Sequence, residues 1–232
     1  MVDKKVAHEP EAEVDAFDSA VSFWEKYKSL IIGISAAVIL VAGGWLIYKK
    51  MFQEPKEERA AEAIGKAQEY FAGEKYEQAL QGDGQNKGFL YIAKNYDGTK
   101  SGNLAHLYAG ISYLKLGEFN KAVTELRDFD TDSKQIQMIA YGRLADAYSE
   151  LGKKNDAVDY YKKAGHQFQE DEFNSSEFLF RAGYLLESLG KNKEAVEVYK
   201  EIKEKFPQTE KGFAIDKYIY RLSVEQNDFS VK

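Results

Sequence analysis

The chain has no cysteine, only three prolines in 232 residues, and no excess of positive charge. Without cysteine there are no disulfides, no thiol nucleophile and no cysteine-ligated zinc. Proline stands only at positions 10, 55 and 207, so from Arg59 onward nothing forbids long helices except the glycine-rich stretch QGDGQNKG (Gln81–Gly88). Formal net charge is −6, and residues 51–232 carry 26 basic against 31 acidic groups. Phosphate neutralisation drives most nucleic-acid affinity, so this balance argues against a nucleic-acid partner.

Motifs for chemistry are missing as well. There is no phosphate loop, no HExxH and no GxSxG. DGTKSG (Asp97–Gly102) lacks the loop length and preceding strand of a phosphate site, and reads as a turn between helices. DFDTDS (Asp128–Ser133) starts like a calcium loop, but Ser133 replaces the required glycine and Ile139 the twelfth-position glutamate. His8, His106 and His166 are scattered without ligand spacing. The sequence therefore predicts no catalytic, metal or cofactor-binding residues and no small-molecule substrate. The expectation is a protein that is not an enzyme.

What is present is one run of nineteen uncharged residues, Leu30–Tyr48. As a helix it spans about 28 Å, the thickness of a bilayer's hydrocarbon core. Trp24, Tyr27, Trp45 and Tyr48 flank it, with Lys26, Lys28, Lys49 and Lys50 at its margins. Amphipathic rings favour the headgroup depth, and ammonium groups resist hydrocarbon. The run is long for a signal peptide, follows a mostly acidic segment and ends without a small-x-small cleavage site. It predicts an uncleaved single span (30–48) after an N-terminal tail (1–29). Residues 15–29 put Phe17, Val21, Trp24 and Lys28 on one helical face. They form either an interfacial helix or an extension of the span. A charged collar (49–58) follows. Gly33, Ala37, Val41 and Gly44 recur as a small-residue face suited to packing against another membrane helix.

The region 59–227 repeats itself. AGISYLKLGEFNKAV (Ala109–Val123), LADAYSELGKKNDAV (Leu144–Val158) and AGYLLESLGKNKEAV (Ala182–Val196) each carry Leu-Gly and, after four more residues, alanine. A degenerate copy precedes them, YFAGEKYEQAL (Tyr70–Leu80). Each glycine suits a left-handed turn ending a first helix. Small residues (Gly110, Ala145, Gly183; Ala122, Ala157, Ala195) let paired helices approach, and bulky ones (Tyr113, Leu126, Tyr148, Tyr161, Leu186, Tyr199) fill the space between. Each hairpin leaves an apolar flank that a neighbour must cover, which gives a solenoid. With repeats begun at Asn103, Met138 and Ser176, the unit resembles the tetratricopeptide repeat (TPR), with Pro207 ending the third. The fold expectation is all-α: one transmembrane helix, then a TPR-type α-solenoid of hairpins. Gly88–Asn95 is expected to form the second helix of the degenerate pair. Gly212–Gln226 is expected to be one capping helix with Phe213, Tyr218 and Leu222 inward, before a short tail (228–232).

The TPR resemblance implies a concave groove lined by the first helix of each pair. Carried onto this sequence, the candidates for protein binding are Leu107, Ile111, Leu114 and Lys115; then Asp146, Ser149 and Glu150; then Phe180, Tyr184 and Glu187. On these residues the groove reads as apolar at its N-terminal end and acidic with aromatics at its C-terminal end. Acidic tail, single anchor, collar and TPR domain together resemble the YfgM-type ancillary subunits of the bacterial Sec translocon. GDGQNKGFLYIAKNYDGTKSGNLAHLYAGISYLKLGEFNKAV (Gly82–Val123) and IDKYIYR (Ile215–Arg221) carry the likeness to the Bacteroidetes form. The resemblance implies an inner-membrane protein with a cytoplasmic N-terminus and a periplasmic TPR domain. Its implied partners are SecYEG, a PpiD-like chaperone and nascent polypeptides. Flanking charge points the other way. Lys49, Lys50, Lys56, Arg59 and Lys66 follow the run, and only Lys26 and Lys28 closely precede it.

Overall fold

The computed structural model describes residues 11–225, all helix and turn apart from an isolated bridge between Gly82 and Lys87. The chain divides into two compact units at Pro55/Lys56.

The first unit is built on α1 (Glu11–Tyr48), followed by a π-helical turn, Lys49–Gln53. Residues 15–29 continue the same helix as 30–48 without a break. The helix contains a segment long and apolar enough to cross a membrane. Among the described residues its aliphatic side chains are mostly exposed, Leu40 being 76% and Val41 74% exposed. At the rims, Phe23 packs on Tyr27 with Lys26 over the Tyr27 ring, and Trp45, Tyr48 and Phe52 follow one another.

The second unit comprises α2 (Glu54–Ala72), α3 (Tyr76–Gln81), α4 (Phe89–Asn95), α5 (Lys100–Lys115), α6 (Phe119–Asp128), α7 (Lys134–Glu150) and α8 (Lys154–Gln167). It continues with α9 (Glu172–Ser188), α10 (Asn192–Lys205), α11 (Glu210–Ala214) and α12 (Asp216–Glu225). Helices α5/α6, α7/α8 and α9/α10 are three hairpins, and their turns share one chemistry. Gly117, Gly152 and Gly190 sit at φ +76°, +70° and +70°. In each turn the residue after glycine donates its N–H to the carbonyl five back, as Glu118 to Tyr113, Lys153 to Tyr148 and Lys191 to Leu186. Otherwise orphaned helix-end carbonyls are satisfied in the left-handed step that glycine takes without steric cost. The degenerate copy forms the same turn one residue later than its glycine suggests: Glu74, not Gly73, takes φ +58°, and Lys75 donates to Tyr70.

Close approach within hairpins follows from the small residues. A Cβ added at Gly110 would overlap Leu126, and one at Gly183 would overlap the Tyr199 ring. Ala122, Ala157 and Ala195 are fully buried. Between hairpins the same device recurs where the sequence gives no repeat signal, Gly142 lying under Phe178 and Gly165 under Leu179. Two buried clusters result, one running from Ile64 to Ala182 and the other from Val158 to Leu222. Each fully buried large side chain, such as Tyr199, Phe89 or Ile202, contributes on the order of 2–3 kcal/mol of apolar transfer.

Two loops read as ambiguous in the sequence are structural. Thr99 caps α5 by accepting from Gly102, and the Glu57 carboxylate accepts from the backbone N–H groups of Lys100 (2.6 Å) and Ser101 (3.1 Å) and from the Ser101 hydroxyl (3.0 Å). The anion at this helix N-terminus is thus supplied by the protein itself, where carboxylate and dipole complement one another. Asn103 holds Asp130 through two bonds, and Gln137 accepts from the Thr131 N–H, fixing Asp128–Ser133 as a turn. In the glycine-rich loop Asp83 accepts from Tyr70, Gln85 and Asn86; these bonds, the Tyr70 hydroxyl's foremost, hold its carboxyl well below the usual range. α3 and α4, on either side of this loop, complete the irregular first hairpin with α2.

The C-terminal end differs from expectation. The expected single capping helix is broken into α11 and α12, with Thr209 capping α11. Rotation at the break turns Ile215, Ile219 and Leu222 inward and leaves Phe213 71% exposed. Tyr218 is half-buried against Phe180 and Tyr199.

Candidate protein-binding groove

Helices α5, α7 and α9 carry the groove positions, and the structure sorts them by what already holds each side chain. Leu107 is 6% exposed within the larger core cluster, so it offers no surface to a partner. Ile111 and Leu114 are half-buried, and Lys115 is exposed. Ser149 is half-buried and Glu150 exposed. A cleft of about 370 Å3 brings Leu114, Lys115, Asp146, Ser149 and Glu150 together, joined by Phe119 from α6 and Tyr161 from α8.

The acidic end of the groove is already occupied by the protein's own donors. Asp146 accepts from Tyr161 (2.6 Å), Arg181 (3.0 Å) and Arg143 (3.0 Å). Glu187 accepts from Tyr199 (2.5 Å) and Arg221 (2.6 Å). Burial, reinforced by the neighbouring carboxylate, pushes both phenols above their ordinary value, so each remains a donor. Glu177 joins the same network through Arg181 (2.8 Å) and Lys211 (3.2 Å); burial opposes its charge, but the two cations win and hold its carboxyl below the ordinary value. Lys211 also lies 4.5 Å from the Phe180 ring centre. Phe180 is half-buried under Tyr199 and Tyr218, and Tyr184 is 60% exposed.

Of the expected set, then, Leu114, Lys115, Asp146, Ser149 and Glu150 converge on one cleft. Ile111 and Tyr184 lie outside its lining, Leu107 and Phe180 serve packing, and Glu187 fastens α9 to α10 and α12. Sequence reasoning missed Phe119 and Tyr161, and missed the arginines. Arg143–Asp146 and Glu177–Arg181 have the i,i+3 and i,i+4 spacing of helical ion pairs and were within reach of it. Arg221–Glu187, 34 residues apart, had no local signal.

On α1, Gly33 and Gly44 have nothing within 4 Å of an added Cβ, and Ala37 and Val41 are exposed, so the small-residue face is uncovered. Among the described residues no group of three or more His, Asp or Glu side chains is placed to hold a metal ion. His106 pairs with Glu125 (2.8 Å) and His166 with Glu201 (2.9 Å), each within the repeat scaffold; His8 lies outside the described residues.

A sequence model of the tetratricopeptide repeat-like domain matches residues 21–218. The chain belongs to that family. Among solved structures, the nearly identical TPR-like repeats of a candidate kinesin light chain from Podosopora anserina superpose with a TM-score of 0.54 at 14% identity, covering 75% of this chain and 90% of that one. A single-residue variant of the same repeats gives 0.53, again at 14% identity, covering 75% and 89%. At that identity the likeness speaks for the fold alone. No curated protein matches the chain. TPR-like domains act as scaffolds for protein–protein interaction.

Proposed function

We propose that this protein is a membrane-anchored, non-enzymatic scaffold or chaperone of the YfgM type, associated with the SecYEG translocon. In this reading α1 spans the inner membrane once, the N-terminus is cytoplasmic, and the TPR domain is periplasmic. The groove receives an emerging secretory or membrane polypeptide, or a segment of a PpiD-like chaperone. The observation that carries it is the cleft around Leu114 and Phe119: an apolar seat on a repeat fold, beside charges that the fold itself leaves unused. The family match begins at residue 21, so the matched range takes in the apolar helix along with the repeats, which supports a retained anchor. The uncovered face of Gly33, Ala37, Val41 and Gly44 is the surface offered to a translocon helix.

A photo-crosslinking amino acid at Leu114 of the full chain in membranes tests the reading. Adducts to translocon subunits, a membrane-tethered chaperone or nascent chains are expected; adducts confined to soluble cytoplasmic proteins would overturn it. One observation favours a second reading, a cytoplasm-facing adaptor: within about 20 residues of the apolar run, five cations follow it and two precede it. Alkaline phosphatase fused to the C-terminus decides between them, active for a periplasmic domain and inactive for a cytoplasmic one.

A further inference from the structure

Within the cleft between α5 and α7 three charged side chains meet, and only two are available. Asp146 is held by Tyr161, Arg143 and Arg181. Lys115 and Glu150 are exposed and make no ion pair or hydrogen bond among the described residues. They occupy the same register in consecutive repeats, each as the last residue of its first helix. One is a cation and the other an anion. The half-buried Leu114 and Phe119 and the Ser149 side chain line the same cleft.

This pattern is selective in a way that neither half of the groove is alone. A carboxylate-ended or polyacidic segment would meet Lys115 but be repelled at Glu150. A polybasic segment would meet the reverse. Asp146, although in the wall, adds little attraction for a basic partner because its lone pairs are already engaged. Adjacent packed helices lie about 8–10 Å apart, a gap that an extended chain covers in about three residues at roughly 3.3 Å each.

Resting on the peptide-groove reading above, we infer the chemistry of the occupant. It is an extended polypeptide segment with one bulky apolar side chain, flanked by one acidic and one basic residue about three to four positions apart. The apolar side chain sits on Leu114 and Phe119, the carboxylate faces Lys115, and the cation faces Glu150. The Lys115/Glu150 pair sets specificity, and the apolar seat supplies the affinity.

The test uses the full chain in detergent micelles and three fluorescent ten-residue peptides sharing a central leucine. One carries an acid and a base around it, one two acids, one two bases. Fluorescence anisotropy is expected to rank the mixed peptide first, by about two- to fivefold for each matched charge, the range of exposed ion pairs. Lys115→Glu should move the preference to the dibasic peptide, and Glu150→Lys to the diacidic one. Both positions are exposed helix ends, and unchanged melting temperatures check that the variants fold. Binding of all three peptides with a ranking that neither variant alters overturns the charge assignment and leaves the groove reading standing. Binding of none of them overturns both. Raising the salt to 1 M should level the three affinities without abolishing binding; loss of all binding at high salt would overturn the apolar seat as the source of affinity.

Discussion

The two ends of the groove are built from the same repeat yet hold their side chains in different ways. At the α5 end the groove presents Ile111 and Leu114, and the second helix answers with Leu126, packed under Gly110. At the α7 and α9 ends it presents Asp146 and Glu187, and the second helices answer with Tyr161 and Tyr199. One signature position holds leucine in the first repeat and tyrosine in the next two (Leu126, Tyr161, Tyr199), and the chemistry of the facing helix changes with it. A half-buried carboxylate needs donors, whereas an apolar side chain needs only contact. The difference teaches that an acidic groove residue in such a fold is not automatically a recognition residue. Here Asp146 and Glu187 fasten the hairpins, and the surface left for a partner is the apolar end with its margin.

The largest effect should come from filling the closest helix approach. Gly183→Ala drives a methyl group into the Tyr199 ring and should cost about 2–3 kcal/mol, while Gly110→Ala meets the more adaptable Leu126 and should cost less. Thermal melts followed by circular dichroism measure both, and equal losses would erase the distinction between the two ends. Next, Asp146→Ala should cost about 1–2 kcal/mol by stranding Tyr161 and Arg181. Leu114→Ser, by contrast, removes a side chain only partly buried against the core and should cost no more than about 1 kcal/mol, yet abolish peptide binding. Stability lost at Leu114 and binding lost at Asp146 would reverse the roles assigned here.

Turn residues give a smaller pair of opposite sign. Gly152→Ala puts a side chain at φ +70° and should cost about 1 kcal/mol, whereas Glu74→Gly relieves the left-handed step at φ +58° and should gain about 0.5 kcal/mol. Destabilisation by the glycine would mean that Glu74 makes a contact outweighing its backbone strain.

The smallest effect separates the α5/α6 hairpin by pH. The hydrogen bond to Glu125 raises the His106 pKa despite the opposing burial. A raised folded-state value means that the protonated pair stabilises the fold fully below the unfolded value of about 6.5. That contribution is lost as pH rises through the folded value. The melting temperature should therefore fall slightly as pH rises above about 6.5, and His106→Gln should flatten that slope. The Tyr161–Asp146 and Tyr199–Glu187 hydrogen bonds carry no such dependence there, because both phenols stay protonated.

Much of the fold was legible because helix, turn and close approach are local or periodic. Leu-Gly placed the three turns, and the small residues at matching offsets placed the helix contacts. What escaped was the consequence of rotation and of distance. The break near Ala214 turned Phe213 out, and burial removed Leu107 from the groove. Gly142 and Gly165 showed as close approaches only once the next repeat lay over them. Of the groove set, five residues converged on one cleft because register fixes which face of a helix they share.

Composition and pattern by themselves determined an apolar helix of bilayer length, a train of helical hairpins, and the lack of any thiol or recognisable catalytic motif. These follow from periodicity and residue type, which act within a few turns of chain. Only the tertiary structure decided which charges are spent and which are left over. A carboxylate's availability depends on donors brought to it from other helices, and the distance from Arg181 to Asp146 is written in the packing of hairpins, not in the 35 positions that separate them in sequence.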